Sequence, residues 1–113
     1  MYAAARGSTG LFVVDINCAK DPVKGRTEAG LLKAFAVDNT GGLRLVNSVG
    51  THGVTPCHCW LASKAEHGDF VLVANYGDEL SASAGSIASF RVRADGGLTE
   101  AISVEILPGE VFS

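Results

Sequence analysis

The chain has 113 residues, enough for one domain at most, and 47% of them are apolar, a globular rather than a disordered composition. Net charge is −3 with both signs interspersed and no Lys/Arg cluster, which argues against a nucleic-acid partner. No apolar run approaches the roughly 18–20 residues of a membrane span, so no membrane partner is expected.

Met1–Arg6 leads directly into an apolar segment, Leu11–Ile16. That segment is too short for a signal-peptide core and contains Asp15, so it does not read as a secretion signal. Cys57, Cys59 and one further Cys make no disulfide framework, and a reducing, cytoplasmic location is expected. Leu11–Ile16 itself is nearly continuous in apolar residues, as suits a strand covered on both faces. After a loop from Cys18 to Ala29, Leu32, Ala34 and Ala36 alternate with Phe35 and Val37, the period of a second strand. Asp38–Gly42 is a turn whose Gly supplies positive φ, predicting a hairpin into Leu43–Val49. Gly50–Thr55 reads as a connection. Four more strands follow at Pro56–Ala62, Phe70–Tyr76, Ser86–Arg93 and Leu98–Ile106, the last two joined by the turn Ala94–Gly97. No window holds a helical period.

The chain repeats itself. Gly30–Val37 aligns with Gly85–Val92, Gly41-Gly42-Leu43 with Gly96-Gly97-Leu98, and Ser48-Val49 with Ser103-Val104, all 55 positions apart. Leu11–Asn17 aligns with Phe70–Tyr76 at 59 positions, the longer first loop taking up the difference. A repeat of this length built from four strands is a β-propeller blade. The fold expected is therefore all-β, one partial-propeller domain over residues 1–113. Residues 54–107 form a complete blade and residues 10–50 an incomplete one with three strands. Propellers close as rings of about four to eight blades. A two-blade chain is thus expected to be a piece of a larger ring or to self-associate through exposed blade faces, carrying residues such as Phe35, Val73 and Phe90.

Four segments, in order, resemble one family. Phe35-Ala36-Val37-Asp38-Asn39-Thr40-Gly41-Gly42-Leu43 looks like the F-x-V-D-x-x-G-x-L blade ending of 6-phosphogluconolactonase-type lactonases. Gly53-Val54-Thr55-Pro56-Cys57-His58 resembles their G-x-x-P-x-H strand, and Phe70–Gly77 the strand ending V-A-N-Y-G. Gly85-Ser86-Ile87 with Phe90, Val92 and Gly96-Gly97-Leu98 resembles the ending of that same blade. The strand after His58 departs from the family's D-P-x-G-K turn, reading Ser63–Asp69 instead. The resemblance implies a seven-bladed propeller that hydrolyses a sugar lactone without a cofactor or metal. In a fungal branch it implies cycloisomerisation of a carboxymuconate.

His58 matches the histidine that faces the central pocket in that family, and an imidazole that titrates near neutrality suits a general base. Strand alternation sets it opposite Cys57 and Cys59, so these three do not converge as zinc ligands, even with His52 nearby. Asn75 and Tyr76, at the end of their strand, are candidate substrate contacts. Trp60, on the His58 face, reads as packing between blades. Asp78-Glu79 reads as part of a solvated loop, and the paired glycines as hairpin turns rather than phosphate loops, since no helix follows. A lactonase and a non-catalytic propeller scaffold are the two function classes these residues allow.

Overall fold

The computed structural model describes residues 2–15, 29–77 and 85–107. They form β1 (Ala3–Arg6), β2 (Gly10–Asp15), β3 (Ala29–Val37), β4 (Leu43–Val54), β5 (Pro56–Lys64), β6 (Gly68–Asn75), β7 (Ser86–Arg91) and β8 (Ser103–Ile106). Two antiparallel sheets result, ordered β1-β2-β3-β4 and β5-β6-β7-β8. The all-β expectation holds. The first repeat, expected to have three strands, has four: Ala3–Arg6 pairs along β2 from Ala3↔Val13 to Arg6↔Gly10. Three alanines carry little strand signal, so this strand arises from its partner and not from its own propensity.

Register also corrects the repeat. Phe12 pairs with Ala34, and Leu72 pairs with Ser89. Since Ala34 and Ser89 are equivalent, Phe12 corresponds to Leu72, 60 positions on rather than 59. A single step matters because adjacent strand residues face opposite sides of a sheet.

The sheets stack face to face. Phe12, Val14, Leu32, Ala34 and Val49 from the first meet Cys59, Val71, Val73, Ala88, Phe90 and Leu98 from the second, all buried. Burying each large side chain stabilises the pair by roughly 1.5–3 kcal/mol. Val73 and Phe90, expected on exposed faces, are thus fully buried in this layer, while Phe35 lies half-buried on the open side of the first sheet.

The two β3–β4 and β7–β8 hairpins repeat in detail. Gly41 (φ 85°) and Gly96 (φ 87°) take the left-handed backbone that the turn requires and that L-residues avoid. Asp38 Oδ1 accepts from the Thr40 and Gly42 amides, and Asp95 Oδ1 from the Gly97 amide, so each turn is closed by a carboxylate.

Gly50–Thr55, expected as a connection, is mostly strand. β4 runs on to Val54, pairing with Ala29, and Thr55 alone separates it from β5. His52 (φ 61°) and Thr55 (φ 55°) both adopt left-handed backbone without being glycine. For β-branched Thr this is a strained conformation, worth on the order of 1–3 kcal/mol, that surrounding structure must enforce.

Polar groups lock the sheets together at their margins. Asn47 donates from Nδ2 to the Leu98 carbonyl (2.8 Å) and accepts at Oδ1 from the Leu98 amide (2.9 Å), imitating a strand partner. At one end Arg6 Nε donates to Asp69 Oδ2 at 2.6 Å. The Arg6 hydrogen bond, and next to it that from Ser63, hold the Asp69 carboxyl below its ordinary value. A carboxylate depressed on folding contributes stability above its unfolded pKa and loses it as pH falls through the folded value. Asp69→Asn is therefore expected to lower the denaturation midpoint modestly at pH 7 and to match wild type once the pH is well below the ordinary Asp value of about 3.9. Urea titrations across that range check it; an equal deficit at every pH would assign the loss to packing.

Candidate functional site

β5 is the edge strand of its sheet and lies against β1 and β2 of the other. Its register slips between Pro56 and His58 opposite Asn75 and Ala74, which leaves Cys57 as an extra residue. Bulges of this kind re-aim a side chain. Beyond the bulge Cys59 turns into the inter-sheet layer, so His58 and Trp60 project from the opposite face. His58 is exposed, and its ring lies 5.4 Å from that of Trp60, tilted by 55°. Trp60 is 38% exposed on the open face of the second sheet, since Cys59 takes the face covered by the first. The indole instead flanks the imidazole.

Cys57 Sγ points to the Ala74 carbonyl (3.6 Å) and Cys59 Sγ to the Phe12 carbonyl (3.9 Å), the latter across the inter-sheet layer. Burial raises the Cys59 thiol, which disfavours the thiolate that a metal or an electrophile requires. Among the described residues no cluster of His, Cys, Asp or Glu is placed to hold a metal ion.

Asn75 and Tyr76 diverge. Asn75 is 2% exposed on the inter-sheet face, where Nδ2 donates to the Thr51 carbonyl (2.9 Å) and to Ser86 Oγ (3.1 Å). Its Nδ2 is thus spent inside the layer rather than turned to solvent, while its Oδ1 is buried without a hydrogen-bond partner. Gly53 makes this approach possible, since a Cβ there would sit 2.6 Å from Asn75 Cγ. Tyr76 donates its backbone N–H to the Thr55 carbonyl (2.9 Å) and is 51% exposed. It thus stands at the same end of the sheet as His58. Asp78 and Glu79 lie outside the described residues.

A cleft of about 240 Å³ opens at the other end, lined by Arg6, Phe12, Phe35, Val46 and Asp95 among others. His58 and Tyr76 do not line it. The candidate site is therefore an exposed strand edge in these two sheets, not a closed pocket.

Two stacked four-stranded antiparallel sheets, joined from the outer strand of one to the edge strand of the next, are adjacent blades of a β-propeller. The model of the family "Lactonase, 7-bladed beta-propeller" matches residues 3–110, and the chain belongs to that family. A crystal structure from Bacteroides fragilis, of a protein provisionally named 6-phosphogluconolactonase, is similar at 25% identity and a TM-score of 0.65. The match covers 96% of this chain and 26% of that one. A second structure so named, from Bacteroides uniformis, gives 26% identity and a TM-score of 0.64 over 91% of this chain and 25% of that one. The chain thus spans about a quarter of the length of these structures. Comparison with curated proteins finds no significant match.

Removing the Asn75 amide leaves the Thr51 carbonyl without its donor beside a strained crossover. Asn75→Ala is expected to destabilise the chain by roughly 1–3 kcal/mol in chemical denaturation, the range for an orphaned buried polar group. A loss under about 0.5 kcal/mol would show that the crossover holds its shape without this amide.

Proposed function

We propose that this chain supplies two blades of a sugar-lactone hydrolase, a 6-phosphogluconolactonase-like enzyme, with His58 as general base. The observation that carries the reading is the setting of His58. A bulge turns it away from the inter-sheet layer at the edge strand that lies innermost in a propeller blade, and its side chain is exposed. Family membership and the names of the two similar structures support the chemistry.

In this mechanism His58 accepts a proton from water as the water oxygen bonds to the lactone carbonyl carbon. The tetrahedral intermediate then collapses and the ring C–O bond breaks. The leaving alkoxide takes the proton back from the imidazolium, giving the open hydroxy acid. No electrons leave the substrate, so the reaction calls for no redox cofactor. Trp60 restricts the imidazole from one side by ring contact. The exposed Tyr76 offers a phenol O–H to substrate hydroxyls. Groups that hold an anionic lactone would come from blades beyond the two seen here. Free thiols at Cys57 and Cys59 suit a reducing compartment, and we place the protein in the cytoplasm on that basis.

Hydrolysis of 6-phosphogluconolactone, followed as acid release at constant pH, tests the reading in a propeller holding this segment and its full set of blades. His58→Ala is expected to lower kcat by roughly 10²–10⁴-fold. Because the side chain is exposed, the melting temperature should barely move. A variant that keeps its turnover and loses stability instead would make His58 a structural residue.

A further inference from the structure

The β4–β5 corner gathers unfavourable local features within a few residues. His52 and Thr55 are held in left-handed backbone, against their intrinsic preference. Opposite the single residue Gly30, β4 carries three residues, Thr51, His52 and Gly53, outside its register with β3. Asn75 keeps Oδ1 buried without a hydrogen-bond partner, while its Nδ2 reaches the Thr51 carbonyl (2.9 Å) and Ser86 Oγ (3.1 Å). An apolar side chain of the same size would fill this place with no orphaned acceptor. Local costs that packing alone does not call for collect where geometry serves function.

The geometry under this corner's control is the start of β5. Pairing runs unbroken from Lys64↔Gly68 back to His58↔Ala74, and one further step would set Cys57 opposite Asn75. Pro56 takes that place instead. It is fixed from two sides. Fully buried, it lies against Gly30, where a Cβ would collide with the Pro56 ring. Just before it, the Thr55 carbonyl accepts from the Tyr76 amide (2.9 Å). Cys57 is thereby left out of the ladder beside His58, and such a bulge bends and twists the strand where the imidazole is attached. Releasing the corner lets β5 close up into the unbroken register and changes the backbone under His58.

We propose that Asn75 is a positioning residue of the candidate site: from the covered face of β6 it anchors the corner, and so sets the aim of His58 on the opposite face. The proposal rests on the reading of His58 as general base. Asn75 Nδ2 bonds the Thr51 carbonyl inside the segment that leaves the β3 register, and Gly53 admits the side chain, since a Cβ there would lie 2.6 Å from Asn75 Cγ. At 2% exposed, Asn75 touches no substrate and acts through the chain from Thr51 to His58. A base aimed wrongly still lets the lactone bind, so the loss falls on kcat rather than on KM. A misplacement of about 1 Å costs on the order of 10²-fold.

Variants of a propeller holding this segment and its full set of blades test the assignment. Asn75→Leu removes the donor and keeps the volume filled, and Asn75→Ala removes both. Val71→Ala opens the same layer further along β6, opposite Leu61, where β5 pairs regularly. Hydrolysis of 6-phosphogluconolactone gives kcat and KM. Carbon-13 labelling of histidine gives the ring resonances of His58, assigned by their loss in His58→Ala. The Trp60 indole, 5.4 Å away, shifts those resonances through its ring current, so they report the aim of the imidazole whether or not it is the base. Both Asn75 variants are expected to lower kcat roughly 10–100-fold with KM nearly unchanged, and to move the His58 resonances. Val71→Ala should lower the melting temperature and leave kcat and the resonances as in wild type. Unmoved His58 resonances in the Asn75 variants overturn the proposal, as does an equal change in Val71→Ala. So does wild-type turnover in the Asn75 variants when His58→Ala has lost it. Should His58→Ala keep its turnover, the general-base reading fails, and the resonances alone decide whether Asn75 holds the imidazole.

Discussion

Everything in this molecule depends on one apolar layer shared by two sheets. A single four-stranded sheet with apolar residues on both faces has no stable way to stand in water. Stacking gives each sheet one covered face, and the fully buried Phe12, Leu32, Val71, Val73 and Phe90 are the result. The layer also decides everything outside it. Whatever does not turn toward it, His58 and Trp60 included, is left for solvent, for a ligand or for another blade.

Passing from one sheet to the next is the hard step for the backbone, because the outer strand of one blade must become the inner strand of the next. The chain does this with a single residue between β4 and β5 and two non-glycine residues in left-handed conformation. Asn75 and the Tyr76 amide hold that corner from the second sheet. Through Thr55 and Pro56 the corner sets where β5 starts, and the bulge that follows sets which way His58 faces. Stability and the candidate site are thus linked along four residues of chain, although they use opposite faces of the same strand.

Much of this was legible in the sequence. Alternation in Leu32–Val37 and the Asp/Gly turns gave strands and hairpins because period and turn chemistry are local properties. The 55-residue spacing gave the blade. What was not legible depended on partners. Ala3–Arg6 is a strand because β2 offers it an edge. Gly50 and Gly53 resemble a loop, yet Gly53 is there to let Asn75 approach. In a run as uniformly apolar as Phe70–Ala74 nothing local distinguishes the face of Val71 from that of Leu72, and the alignment slipped by one residue there. Phe35 and Phe90 hold the same place in the repeat, yet only Phe35 is open, because stacking covers opposite faces of the two sheets. His58 was found by resemblance to a family, and alternation put Trp60 on its face, whereas the bulge at Cys57 follows from pairing with β6 and leaves no local signal.

Native-state hydrogen exchange tests most directly whether one shared layer makes the two sheets a single unit. If neither sheet persists without the other, amides of Phe12–Val14 in β2 and of Val71–Val73 in β6 exchange only through the same global opening. Their opening free energies then agree and fall together with added denaturant, along one slope. Separate free energies or slopes for the two strands, with one sheet still protected while the other exchanges, would contradict the account: each blade would then hold its structure alone.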